Sequence, residues 1–145
     1  MTNKSMDILS LIGWVLSIAV TITIVILSLL PSEDFGDLSF SFAHADKLAH
    51  ALAYAALGFF LHLALVPSAL EGNRPHKPLP PLWRFLLVFS AGFFLGGLME
   101  LIQPIFERGL ELADLFADVL GTVAGYFLAI PFLRLRLWLE KGRRV

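Results

Sequence analysis

The stretch ILSLIGWVLSIAVTITIVILSLL, Ile8 to Leu30, decides the fold: 23 residues without one charge. A helix of that length spans about 35 Å, enough to cross a hydrocarbon core about 30 Å thick. The run is longer than the apolar core of a signal peptide, and no A-x-A site follows within ten residues of it. Pro31 and the acidic segment after it read as a helix exit, so the run is expected to be a retained anchor. Three more apolar runs follow: 43–66, 82–103 and 115–139. Pro104 closes the third, since the residue before a proline is biased away from helix. Pro131 lies inside the fourth and is expected to kink or end it. If it ends there, 132–139 would form an amphipathic tail on the membrane surface.

Composition supports this solvent. Apolar residues make up 57% and charged residues 16%, with a mean hydropathy of +0.77. A soluble domain carries about 25% charge. The expected fold is therefore all-α, an integral membrane four-helix bundle forming one domain over 1–145. The chain has no cysteine, which excludes disulfides, thiolate catalysis and thiolate-bound metal. No basic face interleaves with aromatics, so nucleic acid is not an expected partner; the lipid bilayer is.

Four spans put the termini and the middle loop on one side. That side has Lys4, Arg74, Lys77, Arg84, Arg134, Arg136, Lys141, Arg143 and Arg144; the other has only Lys47 and Arg108. Nine against two orients both termini toward the cytoplasm. The acids run the other way: Glu33, Asp34, Asp37, Asp46, Glu100, Glu107, Glu111, Asp114 and Asp118 all fall outside. The expected location is the inner (cytoplasmic) membrane, with a polar face toward the periplasm or exterior.

That outer face gathers the unusual residues. Asp46, His50 and Tyr54 are four apart and share one side of the second helix, and Gly58 and His62 continue the row. Glu100 and Gln103 close the third helix, behind Gly92 and Gly96. Asp114 and Asp118 open the fourth, beside a ridge of Ala117, Gly121 and Gly125, with Arg108 and Glu111 just upstream. Small residues at four-residue spacing let helices approach closely, so the third and fourth helices are expected to pair through their ridges. Each residue also has a plain structural role. Asp46 and Asp114 could cap helices, Lys47 and Arg108 could snorkel to headgroups, Tyr54 could belong to an interfacial belt, and His50 could make a structural hydrogen bond. Glu100 and Asp118 resist such readings, because each lies about one turn inside its span, where an ionised group is costly. His62 and His76 fall toward the opposite side, away from this cluster.

Three motifs taken in order resemble a known family. D-K-L-A-H-A-L-A-Y-A-A-L-G covers Asp46 to Gly58, G-L-M-E-L-I-Q covers Gly97 to Gln103, and R-G-L-E-L-A-D-L-F-A-D-V-L-G-T-V-A-G covers Arg108 to Gly125, with S-L-L-P upstream at Ser28 to Pro31. Together they are similar to the VanZ-like family of small bacterial multi-pass membrane proteins. The likeness places that family's D-K-x-x-H-x-x-x-Y on Asp46, Lys47, His50 and Tyr54. Its E-x-x-Q falls on Glu100 and Gln103, and its R-x-x-D-x-x-D on Arg108, Glu111 and Asp114. Glu111 departs from the pattern, as does Asp118, where the family has Asn. The resemblance implies a cell-envelope role. The family's named member is associated with glycopeptide (teicoplanin) resistance, an association that carries no mechanism.

Three functions fit these residues. The first is a non-enzymatic envelope protein that binds an anionic or lipid-linked envelope molecule through Asp46, Lys47, His50, Tyr54, Glu100, Gln103, Arg108 and Asp114. Helix N-termini, which favour anions, support it. The second is a membrane-embedded enzyme acting on a phosphorylated or lipid-linked substrate. There Glu100, Asp114 and Asp118 would hold a divalent cation as hard oxygen ligands, and His50, Glu100 and Asp118 are the candidate catalytic groups. No H-E-x-x-H or G-x-S-x-G motif is present, so no reaction type follows. The third, a small transporter, ranks last because no inverted repeat shows. Neither the oligomeric state nor enzymatic activity is legible from these residues.

Overall fold

The computed structural model describes residues 3–30, 45–66, 79–106 and 109–142. They form α1 (Asn3–Leu29), α2 (Ala45–Ala64), α3 (Pro81–Ile102), a short 3-10 turn η1 (Gln103–Phe106), and α4 (Leu112–Gly142). The architecture is the all-α four-helix bundle expected, and all four helices are long and apolar enough to cross a membrane. Their outward faces are apolar: Leu11, Ile18, Phe94, Leu101, Leu120 and Trp138 are all exposed. Such surface suits contact with acyl chains and not with water, as in a multi-pass membrane protein.

Helix ends differ from the apolar runs by a few residues. The polar stretch before Ile8 continues α1 to Asn3, and α4 starts at Leu112 and not at 115. α2 is shorter than the expected 43–66, ending at Ala64, and residues 43 and 44 lie outside the described residues. Pro104 ends α3 as expected, and the chain tightens into η1 there. Pro131 does not end α4, which continues to Gly142, so no separate surface tail forms. Packing beyond the proline accounts for this. Phe132 meets Phe59 edge-on at 5.4 Å, and Leu133 packs on the buried cluster of Leu9, Leu63 and Ala129. Neighbouring helices tolerate a proline inside a membrane span in this way.

Contacts fix the directions. Gly13 of α1 lies on Ala64 at the far end of α2, and Gly96 of α3 lies on Asp118 near the start of α4. α2 and α4 run parallel, pairing Ala51 with Gly121 and Ala55 with Gly125. The start of α2, the end of α3 and the start of α4 therefore share one end of the bundle. α2 is the central helix, packed on α1, α3 and α4. Its central place explains why it is the least hydropathic span, because less of it needs to face lipid. Tyr54 and Leu57 join Ile24 and Met99 in the core. At the other end Ser10 Oγ donates to the Ala64 carbonyl at 2.7 Å, satisfying a group that the end of α2 leaves open.

One packing expectation is corrected. The α3 ridge does face α4: Gly92 meets Thr122, and Gly96 meets Asp118 and Leu115. The α4 ridge, however, turns to α2, with Gly121 against Ala51 and Gly125 against Ala55 and Phe59. The helical turn separates the two surfaces. Asp118 and Thr122 lie on one row and Gly121 and Gly125 on the next, and the small residues of α2 complement the second row.

Candidate functional site

The site has two layers at the shared end of the bundle. In the rim layer, Lys47 Nζ donates to three carboxylates: Asp46 Oδ2 at 2.9 Å, Glu111 Oε2 at 2.7 Å and Asp114 Oδ1 at 3.1 Å. Asp46 and Asp114 stand within the first turns of α2 and α4, with their carboxylates on Lys47. Lys47 is therefore not a snorkelling lysine. It ties the start of α2 to the start of α4.

The buried layer lies one turn deeper. His50 Nδ1 is 2.9 Å from Asp118 Oδ1. An ionised carboxylate only accepts, so the Nδ1–H donates to it, and in the neutral imidazole Nε2 is then the acceptor. Asp118 is 1% exposed, with its other oxygen toward Gly96, where any side chain would collide with it. Thr122 Oγ1 donates to the Asp118 backbone carbonyl at 2.8 Å. The Tyr54 hydroxyl faces Asp118 without a hydrogen bond of ordinary geometry. Glu100, 4% exposed, accepts from the Glu111 backbone N–H through Oε2 at 2.8 Å, which holds the start of α4 against the end of α3.

The structure thus brings together Asp46, Lys47, His50, Tyr54, Glu100, Asp114 and Asp118. Gln103 is buried three residues beyond Glu100, but no hydrogen bond ties it to the cluster. Arg108 lies outside the described residues. Sequence reasoning passed over Glu111 as a site residue, although it links Lys47 and Glu100. Its place three residues before Asp114, in the R-x-x-D-x-x-D pattern, was the available signal. Thr122, four residues after Asp118, was also passed over.

Among the described residues, the three carboxylates whose oxygens converge within 4.8 Å are Asp46, Glu111 and Asp114. They are not the expected metal trio of Glu100, Asp114 and Asp118. The position a cation would take among them is held by the Lys47 ammonium. A second feature distinguishes the deeper layer. Tyr54 Oη, Glu100 Oε1 and Gln103 Nε2 are buried and have no hydrogen-bond partner among the described residues. A buried polar group left unpaired costs about 1–3 kcal/mol, and three so close to one end of the bundle call for a partner.

No protein-family model, no curated protein and no solved structure matches the chain.

Proposed function

We propose that this chain is a VanZ-like protein of the bacterial cytoplasmic membrane, with both termini in the cytoplasm, whose polar site faces the cell exterior and binds the head of a lipid-linked envelope molecule. The observation that carries this reading is the Glu100 carboxylate. One of its oxygens is committed to α4, and the other is buried without a partner among the described residues. With the Tyr54 hydroxyl, which faces Asp118 without a hydrogen bond of ordinary geometry, it offers an acceptor and a donor suited to the hydroxyl and amide groups of such a head. The nine-to-two asymmetry of Lys and Arg supports the orientation, and the three motifs support the envelope setting and its link to glycopeptide resistance. The charge balance favours a neutral polar head over an anionic one. Lys47 is saturated by three acids and His50 is engaged by Asp118, so neither is free to attract an anion.

The test is binding of a lipid-linked amino-sugar probe to the purified protein. Glu100→Gln and Tyr54→Phe are each expected to weaken binding about tenfold, the size of a lost hydrogen bond to a charged or buried group. Arg108→Ala is expected to leave it unchanged. Melting curves check that each variant is folded. Equal affinity in the wild type and in folded Glu100→Gln removes the reading, and loss only on Arg108→Ala returns the anionic one.

A second reading, the enzyme, is favoured by the His50–Asp118 pair. A carboxylate that fixes Nδ1–H leaves Nε2 as a positioned base. Conversion of the bound probe, abolished by His50→Gln, is the result that would select it.

A further inference from the structure

A separate cluster lies at the opposite end of the bundle, where α2 ends and α3 begins. His62 is 4% exposed, and its Nδ1 has no partner among the described residues. Its ring stands edge-on to Tyr126 at 4.3 Å. The Tyr126 hydroxyl in turn donates to the carbonyl of Pro81, the first residue of α3, at 3.2 Å. His62 is thereby held beside the α3 N-terminus. Arg84, in the first turn of α3, is near enough to interact electrostatically with His62, and its Nε is also buried without a partner among the described residues.

The α3 N-terminus is itself unfilled. Its N-cap is Pro80, with no side-chain cap, and Arg84 N–H donates to the Pro80 carbonyl at 3.1 Å. Pro80 and Pro81 carry no N–H, so the Leu82 and Trp83 amides are the free donors of the first turn. The cluster presents the two free amides, the Arg84 guanidinium and a His62 ring nitrogen that donates in one tautomer. Asp46, Glu100, Glu111, Asp114 and Asp118 lie at the other end, and the two acids whose helices place them nearer this end, Asp7 and Glu140, stand on α1 and α4 and not on α3. Two buried nitrogens, free amides and a guanidinium with no acidic partner among the described residues together suit an anion with several acceptor oxygens. Simple snorkelling of Arg84 would direct its head to water and would leave both His62 and the inward Nε unexplained.

Depth narrows the ligand further. Trp83 and Trp138 are both exposed at this end, the placement of aromatic residues at headgroup level. We propose that His62, Arg84 and the Leu82 and Trp83 amides form a binding site for a phosphate anion, presented by an anionic phospholipid of the leaflet that this end of the bundle reaches. The site is independent of the one at the acidic end. Positive-inside asymmetry assigns it to the cytoplasmic leaflet, whose anionic lipids favour basic residues.

The experiment is native mass spectrometry of the full chain released from mixed micelles of phosphatidylglycerol and phosphatidylcholine at equal amounts. Wild type is expected to retain phosphatidylglycerol over phosphatidylcholine by about fivefold, the share of one well-placed cation. Arg84→Gln is expected to abolish the preference, and Arg84→Lys, which keeps the charge without the planar fork, to restore part of it. His62→Gln serves as the second variant, read only where its melting curve shows a folded protein. A parallel arm adds inorganic phosphate. Failure of millimolar phosphate to displace the lipid supports the headgroup as source, and displacement assigns the same site to a soluble phosphate. Equal retention of the two lipids with no phosphate effect, or a preference unchanged in folded Arg84→Gln, overturns the proposal.

Discussion

Gly125→Ala should destabilise the bundle by about 3 kcal/mol, the upper end of the cost of overpacking a filled interior. The reason is the closeness of α2. A Cβ at position 125 would run into the Ala55 carbonyl and the backbone of Phe59, and backbone cannot rotate aside as a side chain does. The helices would have to separate, and the separation would propagate to Gly121 on Ala51, one turn nearer the polar site. Gly97→Ala is the matched control. A Cβ there meets nothing within 4 Å, so the change is expected to stabilise by about 0.5–1 kcal/mol through helix propensity alone. Thermal melts of the two variants in one detergent decide the matter. Similar shifts in both would mean that α2 and α4 are not in close contact.

Lys47→Met is expected to turn the rim layer into a cation-binding site. The substitution keeps the length of the side chain and removes the only charge that Asp46, Glu111 and Asp114 share. Three carboxylates with oxygens within 4.8 Å then repel one another. The variant should melt below the wild type in the absence of metal. Calcium should restore it, with a dissociation constant of about 0.1–1 mM, the range of open sites built from a few oxygen ligands. The wild type, with its ammonium in place, should show no such rise. Calorimetric titration with Ca²⁺, alongside melts with and without chelator, reads both effects. A variant indifferent to calcium, or a wild type that responds as strongly, would show that the three carboxylates do not surround Lys47.

Much of this was legible in the residues. Four uncharged or nearly uncharged runs gave the spans, because a bilayer leaves few alternatives for such lengths of chain. The row of Asp46, His50 and Tyr54 did turn to a common neighbour, and Glu100 and Asp118 did prove to be buried, with Asp114 buried beside them. What was not legible is which neighbour a face meets. Periodicity states that Ala117, Gly121 and Gly125 share a side, but not that α2 lies there and not α3. The same limit hid the role of Lys47. Its distance from Glu111 and Asp114 depends on α2 and α4 being parallel and touching, a relation across 64 and 67 residues of chain that local spacing does not encode. Pro131 left the end of the fourth span open for a similar reason. Its local effect is to break a helix, and only the packing of Phe132 on Phe59 and of Leu133 near Leu63 keeps α4 continuous.

Acids and bases from α2, α3 and α4 meet in one polar cluster at one end of the bundle. The chain has no cysteine, which permits a direct test. A double variant, His50→Cys with Asp118→Cys, carries a protease site inserted within 67–78 and is treated in membranes with a short thiol cross-linker. The account predicts efficient linkage, seen as two fragments that stay joined after cleavage. It predicts none for Leu52→Cys with Leu120→Cys, whose side chains face outward. Linkage of the outward pair with no linkage of the inward pair would contradict it.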